Sequence, residues 1–134
     1  MKKFLSIGLL YLVIGCAACP KNSSSIQQGR NYSKCDFSNI NMDDANFSNC
    51  NLSHAIFRNT ELSRANFNNA NISHADFSNA NLTNANLLGA WGGTKSANSN
   101  YESISFITEH TNLSRVIWLN GRVCSNDSIT VCKY

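Results

Sequence analysis

The stretch "RANFNNANISHADFSNANL", Arg64–Leu82, places an apolar residue at every fifth position: Phe67, Ile72, Phe77 and Leu82. Neither regular element has that period. Along a strand, residues five apart point to opposite faces, and along a helix they lie about 140° apart. The chain must therefore turn once per five residues. Outward from this stretch the spacing runs without a slip from Phe37, Met42 and Phe47 to Leu87, which is (87 − 37)/5 + 1 = 11 units. Two residues before each of these centres stands a mostly small side chain, from Cys35, Ile40, Ala45 and Cys50 to Ala85. A centre and the residue two before it share one face of a short extended segment, so both point inward. Asn, Ser and Asp fill the corners, where their side chains bond local backbone.

A second rhythm sets the number of sides. Phe37, Phe47, Phe57, Phe67 and Phe77 alternate with Met42, Leu52, Leu62, Ile72 and Leu82. With four sides per coil, Phe37, Phe57 and Phe77 form one column and Phe47 and Phe67 the opposite one, with aliphatics between; three sides would scramble them. The alternation predicts a square cross-section, the alanines leaving room for the rings. The units "ANFSN", "ANFNN", "ADFSN" and "ANLTN" resemble the pentapeptide repeat family. That resemblance implies an all-β fold, a right-handed quadrilateral parallel β-helix, here short and assigned to residues 35–90.

The N-terminus reads as an export signal. Lys2 and Lys3 precede an apolar run, Phe4–Ile14, well short of the roughly 20 residues that a spanning helix needs. Val13-Ile14-Gly15-Cys16 resembles the lipobox of bacterial lipoproteins, which implies a signal over 1–15, a lipid on Cys16 and attachment to the membrane. Ala17 stands where aspartate would favour inner-membrane retention, so the resemblance implies the outer membrane. Cys16-Ala17-Ala18-Cys19 also fits C-x-x-C, but no redox βαβ pattern surrounds it and the match is read as coincidence. Residues 16–34 then read as the lipidated cysteine and a flexible tether, polar, aperiodic and holding the single proline.

The formal net charge of +3 belongs largely to the signal: without Lys2 and Lys3, 11 − 2 = 9 basic residues face 8 acidic ones, leaving +1. That balance offers no electrostatic footprint for nucleic acid. Past Leu87 the repeat breaks at "LLGAWGGTKSANSN", and residues 91–134 read as an irregular segment and a C-terminal cap. Leu113 and Trp118, with Val116 inward, restore the five-residue spacing. "WLNGRVCSNDSITVC", Trp118–Cys132, resembles a cysteine-bearing tail that follows such repeats in exported bacterial proteins, with Thr130 where that tail has glycine. The resemblance and the oxidising compartment imply a Cys124–Cys132 disulfide pinning the cap.

Candidate chemistry is sparse. Cys35 and Cys50 occupy inward small positions, either as buried thiols in place of alanine or as a second disulfide. His54 and His74 hold the same repeat position one coil apart and stack on the outside of a four-sided solenoid, and Asp44 and Arg64 share another column with Asn84. A metal-binding or pH-sensing histidine pair is one reading; two solvated histidines on a polar face is the commoner one, and no metal or cofactor is expected. No nucleophile motif or phosphate loop occurs, and Glu109-His110 alone supports no enzyme. The sequence thus points to a non-enzymatic, lipid-anchored envelope module that presents polar ladders to a protein or glycan, with homodimerisation left open. Rivals are a secreted factor acting on a host or competitor, and the DNA-mimicking, topoisomerase-binding role known in the family. The latter needs a long acidic rod, which this chain does not provide.

Overall fold

The computed structural model describes residues 19–92, 111–118 and 122–125. The signal, Cys16, Glu109-His110 and Cys132 lie outside them. Backbone pairing repeats at one constant separation: Asn31 bridges Asn51, Asp36 bridges Ile56, Asn41 bridges Glu61, Asn46 bridges Asn66, and the parallel series continues to Asn71 and Trp91. One coil therefore has four sides, each one repeat unit long. Each side contributes one bridge residue to its neighbours above and below, which is why the sequence shows corners rather than long strands.

The corners explain the polar consensus. At each, a β-turn closes on the centre, as where the Ala45 N–H donates to the Met42 carbonyl at 3.1 Å. The third turn residue has positive φ: Asn39, Asp44, Asn49, His54, Asn59, Arg64, Asn69, His74, Asn79 and Asn84 lie between 54 and 62°. Asn and Asp tolerate this region best, and His is enriched there too. Where the first residue of a side is Asn or Asp, its side chain stabilises the following turn, as where Asn41 Oδ1 accepts the Asp43 N–H at 2.8 Å and Asn71 Oδ1 the Ser73 N–H at 3.1 Å. At the last corner before the break Gly89 takes φ +69, and a Cβ there would collide with Asn69 Oδ1.

Inside, the ring columns stand as the alternation predicts. Phe37 stacks on Phe57 at 4.9 Å and Phe57 on Phe77 at 4.8 Å, Phe47 stacks on Phe67 at 5.1 Å, and the two columns meet edge to face at 5.6–5.9 Å. Such geometry is favourable beyond area burial. The inward small position admits threonine only with a partner: buried Thr60 donates to the Phe37 carbonyl at 2.8 Å, and buried Thr111 to the Phe77 carbonyl at 2.7 Å.

The coil resumes after the break. Asn81 bridges Asn112 and Asn86 bridges Ile117, whereas Asn66 bridges Asn86. The separation grows from 86 − 66 = 20 to 112 − 81 = 31, so the interruption is an insertion of about two repeat units into an otherwise regular coil. Leu113, Val116 and Trp118 are buried, as their spacing predicts. Ile117 then pairs antiparallel with Val123, the Cys124 N–H donates to the Val116 carbonyl at 2.9 Å, and Cys124 is buried. A returning segment thus covers part of the C-terminal edge of the solenoid, which would otherwise present unpaired backbone.

The N-terminal boundary needs correction, because the segment read as a tether is folded onto the first coil. Tyr32 is buried in the core, five residues before Phe37, and its hydroxyl accepts the Gln27 N–H at 2.9 Å. Ser23–Ser25 form a 3₁₀ turn capped by Asn22, Ile26 packs against the core, and the Gly29 N–H donates to the Ser48 carbonyl at 3.0 Å. The reason is the end problem again: the first coil has no preceding coil to cover its apolar centres, and this segment does so.

Candidate functional site

Four outward faces carry the chemistry, and the coil arithmetic places their residues. His54 and His74 stack with ring centroids 4.7 Å apart and planes inclined by 14°. Asp44 and Arg64 meet in a two-pronged pair, Arg64 Nε and Nη2 each donating to one Asp44 oxygen at 2.7 Å. This guanidinium holds the Asp44 carboxyl below its ordinary range, although both side chains are exposed and such pairs add little to stability. Asn59 Nδ2 donates to Asn39 Oδ1 at 3.2 Å, one rung of an amide ladder.

Sequence reasoning missed the pair of Arg58 and Asp76. It runs diagonally, two positions short of a full coil, from the second residue of one corner turn to the first residue of the same side one coil on. Opposite charges at that offset were the available signal. Burial alone would raise the Asp76 carboxyl, but hydrogen bonds from the Ser78 hydroxyl and amide, with the Arg58 guanidinium, outweigh it and bring it down to about 2. A carboxyl held below its unfolded value stabilises the fold above about pH 4 and loses that contribution as pH falls through about 2. Asp76→Asn is accordingly expected to cost about 1 kcal/mol at neutral pH, after allowing for solvent screening. The gap from the wild type should close towards pH 2 in urea titrations at a series of pH values; a gap independent of pH would contradict the assignment.

Cys50 is the buried thiol of one expected reading, while Cys35 departs from both. Cys35 is joined to Cys19, with Cα atoms 5.4 Å apart, and not to Cys50. The folded N-terminal segment brings Cys19 over Cys35, whereas Cys50 lies on a different side and stays a buried free thiol, donating to the Gln27 carbonyl at 3.3 Å. Burial pushes that thiol up. Cys124 is disulfide-bonded; Cys132, its expected partner, lies outside the described residues. Leu88, Trp91 and Val123 are the exposed large apolar side chains among the described residues, towards the C-terminal edge. No group of three or more His, Cys, Asp or Glu there is placed to hold a metal ion, and no helix there is long and apolar enough to cross a membrane.

A four-sided parallel β-solenoid whose outer columns largely close on themselves defines a repeat scaffold. Residues 30–91 match the family model described as pentapeptide repeat region, a family whose members form right-handed β-helices. Among solved structures, the chain is similar to HetL, a pentapeptide repeat protein involved in heterocyst differentiation regulation from the cyanobacterium Nostoc sp. strain PCC 7120. That likeness has 22% identity and a TM-score of 0.48, over 67% of this chain and 31% of HetL. It is also similar to a pentapeptide repeat protein of the Arabidopsis thaliana thylakoid lumen, at 25% identity and a TM-score of 0.35, over 66% of this chain and 64% of that one. This chain thus spans less than two thirds of either protein. No curated protein matches it.

Proposed function

We propose that this chain is an exported lipoprotein, anchored through Cys16, whose solenoid serves as a non-enzymatic scaffold or protein-interaction module of the bacterial cell envelope, at the outer membrane in preference to the inner. The observation that carries the reading is the Cys19–Cys35 disulfide. Stable disulfides belong to oxidising compartments, which agrees with the export signal. This one also begins at the third position after the lipobox cysteine. Three residues reach about 10 Å at full extension, so the first coil sits close to the lipid and the rod's polar faces present themselves near the membrane surface.

Metabolic labelling with a palmitate analogue tests the anchor. The wild type is expected to take up label and sediment with membranes, while Cys16→Ala takes up none and appears in the soluble fraction. A labelled Cys16→Ala, or an unlabelled wild type, would overturn the anchor, and the second result would favour a released factor acting on a host or competitor. Capture from envelope extracts on the immobilised protein tests the module: a saturable partner lost with Arg64→Asn, at a corner position that accepts asparagine, supports presentation by the outer columns.

A further inference from the structure

We propose that His54 and His74 form a two-imidazole chelate for a divalent late transition-metal ion such as Zn²⁺ or Ni²⁺ on the outside of the solenoid. Both side chains are exposed and occupy the same corner of successive coils, with φ of 60 and 57°. Their backbones are tied together, the His54 N–H donating to the Ser73 carbonyl at 2.8 Å. The rings lie nearly parallel with centroids 4.7 Å apart, so one ion outside the corner is within reach of both.

What separates this column from its neighbours is that its nitrogens are open. Asp44 and Arg64 saturate each other, Asn59 donates to Asn39, and Asp76 is taken by Arg58 and Ser78. Neither imidazole of the histidine pair has a hydrogen-bond partner among the described residues. Metal–imidazole bonds of about 2.0–2.1 Å put two nitrogens on one tetrahedral ion about 3.4 Å apart. Exposed rings whose centroids are 4.7 Å apart reach that separation, with their lone pairs turned towards one ion, by rotation about their side-chain bonds, with the backbone already fixed. Water fills the remaining positions, and imidazole favours Zn²⁺ and Ni²⁺ over Mg²⁺. Lys34 occupies the same column one coil before His54, at the equivalent positive-φ corner, and supplies a cation instead of a third ligand.

Calorimetric titration of the full chain in detergent, disulfides intact, with Zn²⁺ and separately Ni²⁺ tests the site, and Mg²⁺ serves as the control. One ion per chain is expected, with no Mg²⁺ binding. Asparagine already occupies equivalent corners at Asn39, Asn59 and Asn79, so His54→Asn and His74→Asn should fold as the wild type does, verified by thermal melts. Each is expected to weaken binding by about tenfold or more through loss of one ligand, and His110→Asn to leave it unchanged. Lys34→His, which extends the column, is expected to tighten it. Absence of saturable binding, an affinity in His54→Asn equal to the wild type's, or no gain in Lys34→His would each overturn the site. The outcome is independent of whether Cys16 carries lipid.

Discussion

Phe57→Ala is expected to destabilise the protein by about 3–5 kcal/mol, the range for removing a buried aromatic ring without collapse of its surroundings. Phe57 is fully buried at the centre of the core. It stacks between Phe37 at 4.9 Å and Phe77 at 4.8 Å, and meets Phe47 and Phe67 edge to face at 5.6 and 5.9 Å. Its neighbours cannot close the gap, because each is held in place by the ladder between coils, as the Phe37 N–H is by the Ile56 carbonyl at 2.8 Å. Domains of this size have total stabilities of only about 5–15 kcal/mol, and in a solenoid each coil is held by its neighbours alone. Removing the middle ring therefore weakens the contacts of the second coil with both the first and the third. Urea unfolding followed by circular dichroism should show a midpoint far below the wild type's, or no cooperative transition. Phe57→Leu, which keeps most of the volume, should cost about 1.5 kcal/mol or less. A loss below about 1 kcal/mol for Phe57→Ala would mean that the ring columns are not what holds the coils together.

Why the rings are legible from sequence, and other features are not, comes down to which interactions are periodic. Because every regular coil consumes the same length of chain, sequence separation becomes spatial adjacency, so the phenylalanine columns, the histidine stack and the Asp44–Arg64 pair all follow from subtraction. The diagonal Arg58–Asp76 pair obeys the same lattice one step off axis and escapes a reading confined to vertical neighbours. The ends obey no lattice. Tyr32 continues the register of centres, since 37 − 5 = 32, yet the segment before it covers the first coil through a 3₁₀ turn, Ile26 and a disulfide, none of which repeats. The absence of periodicity in residues 20–34 mimics an absence of structure, whereas capping a solenoid requires a segment that departs from the repeat. The C-terminal end is better signalled because Leu113 and Trp118 return to the period before the chain folds back.

The second large effect concerns that N-terminal cap. Opening the Cys19–Cys35 bond, which closes a sequence separation of 16, is expected to cost about 3 kcal/mol from loop closure. Cys35→Ala is the suitable partner change, because Ala55 and Ala75 fill the same inward column on the following coils; Cys19→Ser completes the variant without leaving an odd thiol from the pair. The loss should be local, since contacts in a solenoid pass only between neighbouring coils. Amide exchange should accelerate at Tyr32 and Lys34, whose N–H groups bond the Asn51 and Ser53 carbonyls at 2.8 and 2.9 Å, while Leu62 and Phe67 in the following coils keep their protection. Cys50 provides an independent reporter. Its thiol is buried beneath the cap and donates to the Gln27 carbonyl, so maleimide labelling mapped to Cys50 should be slow in the wild type and fast in the double variant. If exchange at Tyr32 and labelling at Cys50 both stay at wild-type rates, the 3₁₀ turn and Ile26 hold the cap unaided. The disulfide would then tie Cys19 to the first coil without holding the cap. Uniform acceleration across all coils would instead show that the N-terminal cap nucleates the entire solenoid.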